Sequence, residues 1–406
     1  MTILILAAII GFAMAMAIGA NDVANSMASA VGAKAITIKQ AVIIAFVLEF
    51  TGAFFFGKMV TNTIRKGIVD PQLLTDYRIM IAGGFAALIA ASFWVFIATV
   101  FSLPVSTTHA IVGGMTGFGI AALGWGSVNW LIIIFIVASW FLSPFLGGLL
   151  AFGLFKLISK TILHKDDPLS AAKKIGPSLI SLTFFIVMLM FLKKGLHIDN
   201  LILVFLISII TGIIAGVSGY LLLKGIKKKN NDNGYEAVEV GIFRNLQVIT
   251  SCYVSLAHGS NDVANAIGPL AAIFVAATTQ TVETTATIPK FILALGGFGI
   301  AIGVALWGHR VMKTVGEGIT ELTNTRGFSI DFATATTVFL ASVLGLPVSS
   351  THTVVGAVTG VGFARGIEAL NISKLKEIAL SWILTVPLAA VTAAYLFKFF
   401  KVMFIK

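Results

Sequence analysis

NDVAN stands at residues 21–25 of this chain and again, unchanged, at residues 261–265. A polar string kept at two places 240 residues apart, each time where an apolar run ends, marks an internal repeat. A second pair follows in the same order: LPVSTTHAIVGGMTG from Leu103 matches LPVSSTHTVVGAVTG from Leu346, at an offset of 243 residues. Between the two pairs, GKMVTNTIRKGI from Gly57 parallels GHRVMKTVGEGI from Gly308.

The rest of the chain says where this repeat lives. Of 406 residues, 58% are apolar and only 11% charged, and the charges sit in short clusters between long uncharged runs. A helix of about 20 apolar residues crosses the roughly 30 Å hydrocarbon layer, and the chain offers about a dozen such stretches. An α-helical integral membrane protein is expected, with the lipid bilayer as its surroundings. The net charge of +11 does not point to nucleic acid, because the lysines fall between spans, from Lys156 to Lys174 and from Lys224 to Lys229. Cys252 is the only cysteine, which excludes an intramolecular disulfide or a multi-cysteine metal site. The amino-terminal MTILILAAIIGFAMAMAIGA lacks the positive start of a signal peptide, and its counterpart at 241–257 cannot be cleaved, so the first helix is expected to stay.

Five spans are expected in the first unit, near 3–18, 38–57, 79–101, 105–125 and 128–157, with 19–36 too broken and polar to count. The second unit offers 241–257, 288–307, 331–346, 348–364 and 378–399. Two unmatched spans, 176–193 and 200–223, bring the total to twelve. An odd count before the connecting pair makes the second copy enter from the opposite side. The fold class expected is therefore an all-α polytopic membrane protein with about 12 transmembrane helices, two inverted-topology repeats and discontinuous helices. Its divisions are a first repeat at 1–158, connecting spans at 159–223, a cytoplasmic linker at 224–240 and a second repeat at 241–406. The linker, KGIKKKNNDNGYEAVE, is polar and holds the densest lysine cluster. Lysine excess puts the basic loops in the cytoplasm and both termini outside the cell membrane; Lys398, Lys401 and Lys406 argue the other way and are outweighed by the repeat. The steps Gly113/Gly117, Gly356/Gly360 and Gly299/Gly303 suit close helix packing.

The two motifs carry chemistry. Asp22 and Asp262 lie at a depth where a carboxylate needs a cation or a water cavity, and a capping role for one would not require a twin. Helical spacing gathers Asn21, Asp22 and Asn25, and likewise Asn261, Asp262 and Asn265, into clusters of hard oxygen ligands that suit sodium better than zinc or copper. In the second motif Pro104 and Pro347 stop one helix and favour a new one, whose first turn holds Ser106, Thr107 and Thr108, or Ser349, Ser350 and Thr351. Free N–H groups, the positive end of the helix dipole and three hydroxyls make an anion site without lysine or arginine; simple N-capping is the plainer reading. An anion that tolerates carboxylates must itself donate. Hydrogen phosphate does so through its P–OH, whereas sulfate at neutral pH has no proton to give. His109 and His352, closing the Pro-motifs, serve either a proton relay or a bond to a neighbouring carbonyl. Glu49 is an acid in a long apolar run and a functional candidate by default. Gln247, Ser251, Ser255 and His258 form a polar stripe toward Asn261, which equally suits interhelical bonding.

GANDVANSMASAVGAKAIT and AHGSNDVANAIGPLA, followed by LPVSTTH and LPVSSTH, resemble the duplicated signature of the inorganic phosphate transporter family over nearly the whole chain. The resemblance implies inverted repeats, extracellular termini, a phosphate site between the repeats, coupling to sodium or protons, and a homodimer. It carries phosphate and ion ligands onto Asp22, Asn25, Thr107, Thr108, Asp262, Asn265, Ser350 and Thr351, with Asn21 and Asn261 helping to hold sodium; Ser106 and Ser349 are further candidates for sodium beside the two aspartates. Glu49, followed here by Phe50 and Thr51, and Asp331 resemble the family's two further important acids, and with Gln247, His109 and His352 they form the candidates for gating or an additional ion site.

Sodium-coupled phosphate import by alternating access is the function expected, with sodium as a co-transported ligand and no other cofactor. No GxxxxGK[ST] run supplies an ATPase. Proton coupling and a sulfate carrier on the same plan are the nearest alternatives. An aspartyl protease or serine hydrolase fits poorly: no GxGD context is present, and a duplicated Ser and His on one turn suit ligand binding better than a triad. A passive channel is the remaining class. The chain is not expected to be an enzyme.

Overall fold

In hydrocarbon every backbone N–H and C=O must be satisfied within the protein, so apolar runs of this length have helix as their only open-ended solution. The computed structural model describes residues 1–58, 61, 68–69, 73–74, 76–196, 198–228, 234–282, 289–346 and 348–404. Twelve α-helices follow one another among the described residues: α1 Thr2–Gly32, α2 Ile38–Phe56, α3 Tyr77–Val100, α4 Thr107–Leu123, α5 Trp130–Ile158, α6 Pro168–Met190, α7 Leu201–Lys224, α8 Arg244–Thr279, α9 Lys290–Gly318, α10 Asn324–Val343, α11 Ser350–Arg365 and α12 Ile372–Phe404. One antiparallel bridge, Val69 to Val128, is the only extended pairing among those residues. Ile202, Leu222 and Phe141 are each about three-quarters exposed, which suits lipid and not water. Most of 57–67, the first partner in the Gly57/Gly308 match, lies outside the described residues, as do 229–233 of the linker, Pro347 and Lys406.

The expected all-α membrane fold with about twelve helices is present: of the twelve among the described residues, nine are long and apolar enough to cross a membrane by themselves. The exceptions are α4 and α11, with 17 and 16 residues, and α10, which has 20 residues rich in threonine and carries Arg326 and Asp331. At 1.5 Å per residue α4 reaches roughly 25 Å. One expectation needs correction, that 19–36 would be broken. α1 runs unbroken through NDVAN to Gly32, and α8 carries the second copy to Thr279 in the same way. Alanines at 20, 24, 28 and 30 keep helix propensity high, while the Asn and Asp side chains bond to other elements instead of competing for their own backbone. The discontinuities lie elsewhere, after the helix ends at Val100 and Val343 and before the helix starts at Thr107 and Ser350.

The two units interlock. α1 packs on α9 of the second unit and α8 on α2 of the first, with backbones in contact. A Cβ on Gly19 would stand 1.9 Å from the Ile300 carbonyl oxygen, and one on its repeat mate Gly259 would stand 2.3 Å from that of Glu49. Gly303 against Met16 and Gly52 against Leu256 repeat the exchange from the other side. α4 similarly meets α12 through Gly113 and Gly117, and α5 meets α11 through Gly356 and Gly360. Outside this bundle α6 and α7 form a hairpin of their own, with Ser208, Gly212, Gly216 and Gly219 on the buried side of α7. At its solvent end Asp167 caps α6 by accepting from Ser170; that hydrogen bonding, with Lys228 3.8 Å away, holds its carboxyl below the usual range.

Candidate functional site

Both breaks are built by one device. α3 ends in a residue of positive φ, Ser102 at 56°, and Leu103 N–H returns to the Ala98 carbonyl at 2.9 Å. α10 ends alike at Gly345, φ 69°, with Leu346 N–H on the Ala341 carbonyl at 3.0 Å. This six-to-one closure satisfies carbonyls that a helix end leaves open. The next helix then starts behind an N-cap serine: Ser106 Oγ accepts from His109 N at 3.2 Å, and Ser349 Oγ from His352 N at 3.1 Å. Two helix N-termini are thereby aimed at the core of the bundle beside Asp22 and Asp262.

Asn21 and Asn261 brace the loops before those caps. Asn21 donates to Thr99 Oγ1 and to the Leu103 carbonyl and accepts from Val105 N–H; Asn261 donates to Asp262 Oδ1 and the Val348 carbonyl and accepts from Ser342 Oγ. Each side-chain oxygen keeps one lone pair for a cation.

At the centre the two units complete each other. Thr107 Oγ1 donates to Asp22 Oδ2 at 2.6 Å, and Ser350 Oγ to Asp262 Oδ2 at 2.7 Å, each within its own unit. The asparagines cross over: Asn25 Nδ2 reaches Ser350 at 3.2 Å and Thr351 at 2.9 Å, while Asn265 Nδ2 reaches Thr107 and Thr108 at 3.2 Å each. Thr351 also faces Asp22 Oδ1 at 3.4 Å. All eight residues are buried. Asn25 Oδ1 is a buried acceptor with no donor among the described residues. Such a ring offers hydroxyl and amide donors to anionic oxygens and carboxylates to a P–OH or a hard cation, all out of bulk water.

Three further acids and bases fall into two places. Glu49, 0% exposed, accepts from Ser26 Oγ at 2.9 Å and stands 3.3 Å from His258 Nδ1. His258 Nε2 lies 2.8 Å from Asp262 and 3.9 Å from Asp22, so one imidazole faces three carboxylates. One ligand atom each from Asp22, His258 and Asp262 lies within 4.8 Å of the others. Asp331 belongs to a separate pocket, accepting from Ser29 and, at 2.6 Å, from Ser251. Gln247 is buried on the same face of α8 as Ser251, with neither amide atom partnered among the described residues. His109 and His352 each turn Nδ1 to a main-chain carbonyl, at Trp382 and Trp140, the plainer of the two readings their sequence allowed. The residue that sequence reasoning undervalued is His258, read there as one rung of a stripe. The signal was present: in aligned repeats it stands opposite the apolar Ile18, three residues before NDVAN.

A buried, two-fold polar site assembled from broken and continuous helices inside a bundle with a lipid-facing exterior defines a multi-pass membrane carrier. The sequence profile of the phosphate transporter family matches residues 18–393, and the chain belongs to that family. It is 55% identical to a protein of Pyrococcus horikoshii named as a phosphate permease, over 97% of each chain. It is 39% identical to the chloroplastic inorganic phosphate transporter 2-1 of Arabidopsis thaliana, over 97% of this chain and 71% of that one. A solved structure named as the sodium-dependent phosphate transporter, 52% identical, superposes with a TM-score of 0.94 over 99% of this chain and 100% of its own. The chain is thus a phosphate transporter and not an enzyme.

Proposed function

We propose that this transporter imports inorganic phosphate by sodium-coupled symport with alternating access. The observation that carries the reading is the crossed bonding of Asn25 to Ser350 and Thr351 and of Asn265 to Thr107 and Thr108, which leaves neither unit with a complete site. A site that needs both units opens when they move apart on one face, so access and binding are linked. In this reading Asp22, Asn25, Thr107, Thr108, Asp262, Asn265, Ser350 and Thr351 hold phosphate. Asn21, Asp22, Ser106, Asn261, Asp262 and Ser349 supply oxygens to sodium, which offsets the charge of anion and carboxylates together. The units at 1–158 and 241–406 are inverted copies, joined by the hairpin at 159–223 and the linker at 224–240. The protein lies in the cell membrane as a homodimer with both termini outside, and sodium is its only accessory ligand. The name of the solved relative supports the coupling ion.

A second reading, proton coupling at the same site, is favoured by the placement of His258 among three carboxylates. Uptake of labelled phosphate by the full chain in proteoliposomes separates the two. An inward sodium gradient is expected to drive accumulation and a pH gradient alone is not; uptake indifferent to both sinks coupled transport. Excess unlabelled sulfate is expected to leave uptake unchanged.

A further inference from the structure

Beside the hydroxyl turns lies a second two-fold arrangement, which takes no direct part in the bonding of the central ring. His109 follows Thr108 on the first turn of α4, and its Nδ1 stands 3.2 Å from the Trp382 carbonyl on α12. His352 follows Thr351 on α11, and its Nδ1 stands 3.0 Å from the Trp140 carbonyl on α5. The rings interleave: His109 lies 3.7 Å from the Trp140 ring, His352 lies 3.6 Å from the Trp382 ring, and the two imidazoles are 4.5 Å apart. Each imidazole therefore takes the carbonyl of one tryptophan and the ring of the other.

A main-chain carbonyl only accepts, so both contacts require the proton on Nδ1. Both Nε2 atoms are buried without a partner among the described residues. The opposite tautomer would bury an unmet N–H at Nε2 and set the Nδ1 lone pair against a carbonyl oxygen, losing twice over. The same seam holds the hydroxyl turns directly, through Thr108 Oγ1 on the Val348 carbonyl at 3.3 Å and Thr351 Oγ1 on the Val105 carbonyl at 3.1 Å. Trp382 Nε1 adds a bond to the Pro104 carbonyl at 3.3 Å. A sliding of either turn along its neighbour would have to release an imidazole.

We propose that His109 and His352 are positioning residues of the phosphate site, each pinning the hydroxyl turn of one unit to the tryptophan-bearing helix of the other as the neutral Nδ1–H tautomer. They set the spacing of Thr107 and Thr108 from Ser350 and Thr351 without touching the anion. The proposal rests on the phosphate reading above. A merely space-filling role is tested by where the remaining donor sits: asparagine places its amide nitrogen near the position of Nδ1, and glutamine places it nearer that of Nε2.

Two measurements on the full chain decide it. In proteoliposomes, His109→Asn and His352→Asn are expected to hold the half-saturating phosphate concentration within about threefold. His109→Gln and His352→Gln are expected to raise it about tenfold, the worth of one lost buried hydrogen bond, with a smaller change in maximal rate. Equal half-saturation in the Asn and Gln variants overturns the proposal. Nitrogen NMR of wild-type protein labelled at its six histidines is expected to show two Nδ1–H tautomers, one disappearing in each Asn variant. An Nε2–H signature at either position overturns it without any variant needing to fold. A wild type that moves no phosphate overturns the parent reading instead, and the tautomers are read independently of that.

Discussion

The two units share a skeleton and differ in charge. In the second, His258 meets Glu49 where α8 and α2 cross; at the mated crossing of α1 and α9 the same two positions are Ile18 and Ile300, both buried in the apolar core. Asp331 of α10 likewise stands opposite Leu88 of α3. The repeated motifs, by contrast, match in their stops at Ser102 and Gly345, their N-cap serines, their hydroxyl–aspartate bonds and their crossed asparagines. In the proposed reading, symmetry is kept where both faces of the membrane meet one substrate and broken where one face is told from the other, as transport in one direction on a sodium gradient would require.

The largest expected effect tests the symmetric part. Asp22→Asn and Asp262→Asn each leave a hydroxyl and, in the proposed reading, a sodium ion without their carboxylate. Loss of one partner from a buried charged network costs about 3–5 kcal/mol. Uptake should then fall on the order of 100-fold or more in both variants, measured in proteoliposomes under a sodium gradient. Near-normal transport in both would show that the acids only hold the bundle together. A much deeper loss in Asp262→Asn would sharpen the contrast, since His258 sits 2.8 Å from that residue and 3.9 Å from Asp22.

Next comes the asymmetric corner. His258→Ile alone strands Glu49 and should destabilise by about 3–5 kcal/mol. The pair His258→Ile with Glu49→Ile copies the first unit's crossing, and replacing a buried ion pair by apolar residues is often neutral or stabilising. Thermal unfolding in detergent should therefore recover in part in the double variant, since Glu49 is gone but Asp262 still lacks the imidazole 2.8 Å away, while uptake stays at least about tenfold down. Wild-type uptake by the double variant would mean that the charge difference between the units has no part in transport.

These contrasts bear on what the sequence alone could tell. The repeat, the helical class and every member of the central ring were legible, because buried carboxylates, paired asparagines and Pro-initiated hydroxyl turns have few other uses in hydrocarbon. The position of the breaks was half legible. Pro104 pointed to a new helix, but the Asn-rich stretch after Gly19 read as a gap, since sequence does not show that Asn21 spends its amide on Leu103 and Val105, 82 and 84 residues away. His258 was undervalued for a related reason. Its nearest partner, Asp262, lies one turn on along α8, but Glu49 and Asp22 lie on the other unit, and local spacing does not show that three carboxylates meet at one imidazole.

A smaller effect tests the packing that keeps the units in register. Gly19→Ala and Gly259→Ala each drive a methyl group into a carbonyl on the facing helix, and neither backbone can give way without moving its whole crossing. Overpacking of this kind costs about 1–3 kcal/mol, and the two variants should lose about the same, read as lowered thermal unfolding midpoints. Unequal losses would place the looser crossing at the variant that suffers less.

The smallest expected effect separates capping from coordination. Ser106→Ala and Ser349→Ala remove the acceptor for His109 N and His352 N, and loss of an N-cap costs about 1 kcal/mol. If the hydroxyls only cap, both variants lose this much stability and the sodium concentration for half-maximal uptake stays put. If they also coordinate sodium, that concentration rises about tenfold, because a hard cation loses one of a small set of oxygen ligands. A rise in one variant alone would carry the charge asymmetry into the sodium site: the unit with Asp262 and His258 already has an imidazole beside its carboxylate, so its cation would depend more on the serine oxygen than its mate does. Ser349→Ala is therefore expected to shift sodium dependence more than Ser106→Ala, and the reverse order would place the coupled ion with the first unit.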